Sequence, residues 1–73
     1  MNEPTYTWEG NEVYQRCIIG RDMLTLTVEN GCRVQRIWRN NIKTFQYVWV
    51  LSDWNIDALK HSLIGRYIHK MDL

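Results

Sequence analysis

The sequence predicts an α+β fold: a small antiparallel sheet of three to four strands with one C-terminal amphipathic helix packed on it. Three observations lead there. Leu24, Leu26 and Val28 alternate with Thr25, Thr27 and Glu29, the period-two pattern of a strand with one apolar face. Asn30-Gly31 follows at once, a pair that closes hairpins. Ile56, Leu59, Leu63, Tyr67 and Met71 then recur at helical spacing, widened by Ile64 and Ile68.

Taken in order, residues 1–11 read as a flexible acidic N-terminal arm. Pro4, Gly10 and the acids Glu3 and Glu9 oppose regular structure, and Tyr6 and Trp8 are the residues able to pin the arm down. Residues 12–73 read as one compact sheet-plus-helix domain. Its first strand runs from Glu12 to Ile19 and ends at Gly20. For the hairpin, a two-residue closure sets Val28 opposite Arg33, apolar against polar. A three-residue loop Glu29-Asn30-Gly31 sets Val28 opposite Cys32 and Leu26 opposite Val34, and brings Trp38 to the same side. Burial of one face selects register, so the three-residue loop is expected. Thr25, Thr27, Arg33, Gln35, Ile37 and Arg39 then share the other face. Asn40-Asn41 marks a second turn. Ile42 to Leu51 makes a long strand, with Phe45, Tyr47, Trp49 and Leu51 on one side and Thr44, Gln46, Val48 and Val50 on the other. Apolar residues on both sides place it centrally in the sheet. Ser52, Asp53 and Asn55 are N-cap candidates for the helix, and Asp57 suits its first turn. Gly65 weakens that helix by up to about 1 kcal/mol relative to alanine.

Composition bounds the function. With 73 residues the chain is a single small domain, and a chain this short leaves little room for a core and a deep substrate pocket together. Hydrophobic residues at 45% and charged residues at 23% place it among globular chains rather than disordered ones. The longest apolar run, Val48 to Leu51, is far short of a membrane span. Met1 to Pro4 has no basic head or apolar stretch, so no secretory signal is read there and the localisation expected is cytoplasmic. Cys17 and Cys32 are then expected as reduced, buried thiols, whose proximity sequence alone leaves open.

The net charge of +1 conceals an uneven placement. Between Asn30 and Ser52 the bases are Arg33, Arg36, Arg39 and Lys43, with no acid among them. Catalysis has no such signal. There is no glycine-rich phosphate loop, His61 and His69 are eight residues apart, and Cys17, Cys32, His61 and His69 are too widely spaced for zinc. Enzyme activity, cofactor and metal are accordingly not expected. Binding is expected instead, with Arg33, Arg36, Arg39 and Lys43 interleaved with Trp38 and Tyr47, and the arm residues Tyr6 and Trp8 ordering on contact. Arginine beside exposed aromatic rings is the composition of protein hot spots and of stacking platforms for single-stranded nucleic acid. The plainer alternative is that Trp38 and Tyr47 are core and the bases a solvated face.

The length, the acidic aromatic arm (Tyr6, Trp8, Glu9), the hairpin around Glu29-Asn30-Gly31 and the closing amphipathic helix together resemble the small phage-encoded transcription regulators that bind host RNA polymerase. The resemblance spans the whole chain and carries no diagnostic motif. It implies inhibition of initiation by sigma-factor displacement, antitermination, contacts with the β′ N-terminal region and the β flap, and nascent RNA as a further contact. It also implies no catalysis and no membrane, a monomer, and action in the host bacterial cytoplasm. A stand-alone nucleic-acid-binding module using a basic aromatic sheet face is the alternative.

Overall fold

The computed structural model describes residues 6–50 and 55–71. Five strands, β1 (Trp8–Gly10), β2 (Tyr14–Ile19), β3 (Asp22–Glu29), β4 (Cys32–Arg39) and β5 (Ile42–Trp49), precede one helix, α1 (Ile56–Met71). The strands pair antiparallel in chain order, β1-β2-β3-β4-β5, so every strand lies beside its sequence neighbour. The α+β class holds, with five strands where three to four are expected. The extra strand is β1, taken from within the expected flexible arm: Trp8, Glu9 and Gly10 pair with Cys17, Arg16 and Gln15. Asn11 closes that turn, its Oδ1 accepting from the backbone N–H groups of Val13 and Tyr14. Gly10 has φ +133°, and a Cβ there would lie 2.0 Å from the Tyr14 carbonyl oxygen, so only glycine fits. The first five residues of the arm lie outside the described residues, as do Leu51, Ser52, Asp53 and Trp54.

The β3–β4 hairpin corrects the expected register. Glu29 pairs with Cys32 and Val28 with Arg33, a two-residue loop in which Asn30 and Gly31 have φ of 52° and 77°. Positive φ at both loop residues matches strand twist, and Asn-Gly supplies it at low cost. Turn chemistry therefore overrides the tidier apolar pairing. Asn40-Asn41 repeats the device between β4 and β5, with φ of 52° and 66°.

The register fixes which residues share a face. One row reads Trp8, Cys17, Leu24, Ile37, Phe45, and α1 covers it: Cys17, Leu24, Ile37 and Leu63 form the buried cluster, flanked by Trp8, Phe45, Ile64 and Tyr67. Burial of these side chains is the main favourable contribution to folding. Leu26 and Leu59 are buried as well, and the Gln35 amide, opposite Leu26, donates to the Leu59 carbonyl oxygen at 3.0 Å. That bond makes a polar side chain tolerable on the buried face. Asn55 caps α1, its Oδ1 accepting from the N–H groups of Asp57 and Ala58. The strand expected to be central, β5, is an edge strand bonded to β4 alone among the described residues. Its apolar residues on both sides are consequently left part-exposed rather than doubly covered: Ile42, Tyr47 and Val48 are all exposed.

Candidate functional site

The alternation along β4 separates the expected binding residues. Arg33, Gln35, Ile37 and Arg39 lie on the face under α1, with Leu24 and Leu26. Arg36 and Trp38 lie on the opposite, helix-free face, with Thr25, Thr27 and Val34. Both groupings reverse the expected ones, because the two-residue loop shifts the register by one residue and so flips every side chain relative to its partner. Tyr47 falls on the helix side with Phe45 and Trp49, its ring centroid 4.9 Å from that of Trp49. A bulge at Thr44, whose hydroxyl donates to the Ile37 carbonyl oxygen, moves Lys43 to the helix-free face, where its Nζ donates to Gln46. Tyr6 and Trp8 pack against the core cluster on the helix side. Arg33, Arg36, Trp38, Arg39, Lys43, Tyr47, Tyr6 and Trp8 thus form no single patch: Arg36, Trp38 and Lys43 share the open face, and the other five do not.

The arginines are also committed to partners of this chain. Arg39 meets Asp22 with Nε–Oδ1 at 2.6 Å and Nη2–Oδ2 at 2.7 Å. Arg36 binds both oxygens of Glu29 and donates from Nε to Gln46. Arg33 donates from Nη1 to the Glu12 carbonyl oxygen. Arg16 lies 3.7 Å from Glu9. The Arg36 guanidinium, with the Thr27 hydroxyl, holds the Glu29 carboxyl at about 2, well below the usual carboxylate range. Two of the four bases in the middle of the sequence are thus paired with acids of β3: Arg39 with Asp22 directly across the ladder, and Arg36 with Glu29 diagonally.

The open face itself has a simple plan. A polar row, Arg16, Thr25, Arg36, Gln46, runs across it from β2 to β5. A largely apolar row lies on each side: Ile18, Met23 and Trp38, ending at Lys43, on one, and Tyr14, Thr27, Val34 and Val48 on the other. Ile18 is 61% exposed, Val48 43% and Tyr14 41%. The Trp38 indole N–H donates to the Thr25 hydroxyl at 3.0 Å, which ties the ring to β3. Sequence reasoning missed Ile18, Tyr14, Met23 and Val48 because their place beside Trp38 and Arg36 depends on the registers of three successive hairpins.

The structure places the expected cysteines and histidines apart. Cys17 is buried in the core, where burial raises its thiol pKa, while Cys32 sits on the open face opposite Glu29, so the two are on different sides of the sheet. His61 and His69 are exposed on α1. Among the described residues no three His, Cys, Asp or Glu side chains converge as a metal site requires, and no helix is long and apolar enough to cross a membrane. No family model, curated protein or solved structure matches the chain.

Proposed function

We propose that the chain is a non-catalytic regulator that works by docking a protein partner on its open sheet face. The observation that carries this is the pair of apolar rows on a face no helix covers, with Ile18, Tyr14 and Val48 exposed beside Trp38 and an ion-paired Arg36. An antiparallel sheet with one solvated face ordinarily turns polar residues outward. Exposed apolar side chains, an aromatic anchor and an aligned arginine are the composition of a protein interface. Internal neutralisation of Arg36 suits a protein surface better than a polyanion, which rewards free cations.

The resemblance to phage regulators directs the proposal to bacterial RNA polymerase, with competition for a sigma-binding surface as the route to blocked initiation and an effect on the emerging transcript as the route to antitermination. Occupation of a shared surface is sufficient for the first. That choice of partner rests on likeness alone, whereas the choice of face rests on the register. The test uses purified chain with bacterial core polymerase and holoenzyme, followed by native electrophoresis and transcription from a sigma-dependent promoter. Ile18→Asp and Val48→Asp are expected to abolish co-migration and inhibition with unchanged circular dichroism. Undiminished binding by both variants would refute the face. Tight binding of the chain to single-stranded RNA or DNA, lost steeply with added salt, would instead support the nucleic-acid module.

A further inference from the structure

A cleft lies on the other side of the sheet, where Tyr6 and Trp8 meet α1. They form one wall of this cleft of about 390 Å³, and Lys60, His61, Ile64 and Ile68 form the other. That volume is within the range that ligand sites occupy. The lining is mixed: two aromatic rings and two isoleucines stand with Lys60, His61 and Asp57.

Two features of α1 have no use in holding the fold together. Gly65 opens onto the cleft in mid-helix, where glycine weakens the helix, yet a Cβ at that position would meet no atom within 4 Å. Packing therefore does not demand glycine. What its missing side chain does is keep the cleft open. Lys60 is the second. The arginines of the sheet that face an acid are paired with it, but the Lys60 ammonium lies 5.7 Å over the Trp8 ring and pairs with no carboxylate among the described residues. An ammonium on an indole face retains its capacity to bind an anion.

We infer that this cleft receives a short acidic segment of a partner protein, placing one aromatic or leucine-sized side chain between Tyr6, Trp8 and Ile64 and a neighbouring carboxylate on Lys60. The Lys60 ammonium, without a carboxylate partner among the described residues, selects an occupant that carries one, and the apolar lining admits a side chain that a free phosphate or nucleotide backbone does not offer. The site is independent of the open sheet face, from which the whole sheet separates it.

The test uses the full chain labelled with nitrogen-15 and three blocked hexapeptides as probes. The first has the sequence Asp-Glu-Phe-Leu-Asp-Glu, the second replaces its acids with lysine, and the third replaces Phe-Leu with Ala-Ala. The first is expected to give saturable shifts confined to the Trp8 indole and the amides of residues 57–68, and the other two none. Gly65→Leu fills the cleft while improving helix propensity, so it is expected to fold at least as well and to lose binding. Lys60→Glu is expected to weaken binding by roughly tenfold or more. Equal binding of the lysine peptide, shifts centred elsewhere, or retained binding by Gly65→Leu would overturn the inference. So would absence of saturation at millimolar peptide. None of those results would touch polymerase binding through Ile18 and Val48, whose variants are scored separately.

Discussion

Asp22 and Arg39 close a two-pronged ion pair across β3 and β4, and Tyr67 of α1 donates its hydroxyl to the same carboxylate at 2.6 Å. Asp22 is only 3% exposed. One carboxylate therefore joins the far end of the helix to the sheet, on the face that is otherwise apolar. Removing one member of such a buried set leaves the other without compensation. Arg39→Glu, which sets a second carboxylate against the buried Asp22, is accordingly expected to be the more destabilising of two charge reversals. Arg36→Glu disrupts a pair at the surface and is expected to cost only about 1 kcal/mol. Urea unfolding of the two variants at neutral pH, followed by circular dichroism, checks the order. Equal costs would mean that Asp22 finds other partners.

Acid should release two of these locks in one window. Asp22 and Glu29 both titrate at about 2, held down first by Arg39 and Arg36 respectively. Unfolded carboxylates titrate near 4. Between those values the unfolded chain binds more protons than the folded one, so the stabilisation is complete above about pH 4 and is lost as pH falls towards 2. Thermal midpoints measured across that range are expected to fall steeply, and Glu29→Gln is expected to make the slope shallower. An unchanged slope would show that Glu29 has the same pKa in both states.

Alkali tests the helix tether separately. Burial first, and then the bond to Asp22, push the Tyr67 hydroxyl up to about 12. A pKa raised on folding contributes stability that is complete below the unfolded value near 10 and is lost as pH climbs through 12. The chain is expected to destabilise over that interval, with one tyrosine ionising late by ultraviolet difference absorbance. Tyr67→Phe should remove the late ionisation. If all the tyrosines titrate together in the parent chain, the Tyr67–Asp22 bond is not formed in solution.

Gly10 governs whether Trp8 stays on the sheet. A methyl group there collides with the Tyr14 carbonyl oxygen in a backbone conformation that alanine rarely adopts. Gly10→Ala is expected to release β1, shifting tryptophan emission to the red and lowering stability by about 1–3 kcal/mol. It should also abolish hexapeptide binding while sparing polymerase binding, since the open face is built from β2 to β5. Emission unchanged from the parent would mean that β1 tolerates the added methyl group.

The strands and the helix were legible because their periods are strong: Leu24, Leu26 and Val28 for β3, and Leu59 and Leu63 for α1, point where the alternation says. The hairpin register was not. Val28 opposite Arg33 and Leu26 opposite Gln35 look unfavourable until the Glu12 carbonyl receives Arg33 and the Leu59 carbonyl receives Gln35. Those acceptors are 21 and 24 residues away, outside any local pattern. Strand β1 escaped notice because three residues ending in glycine carry no period. The candidate site suffered most: alternation along β4 parts Arg36 from Arg33 and Arg39, and the one-residue slip decides which of the two sets lies under α1. Only the local sequence around Trp38 and Arg36 survived as a neighbourhood.

The chain-order meander has a kinetic corollary. Each hairpin can zip from its own turn, so the sheet forms through encounters between segments that are close along the polypeptide, the circumstance that favours rapid folding. The Tyr67–Asp22 bond spans 45 residues, so its closure costs more chain entropy than that of any hairpin turn. Docking of α1 against the sheet is the event that builds the wall of the Trp8 cleft.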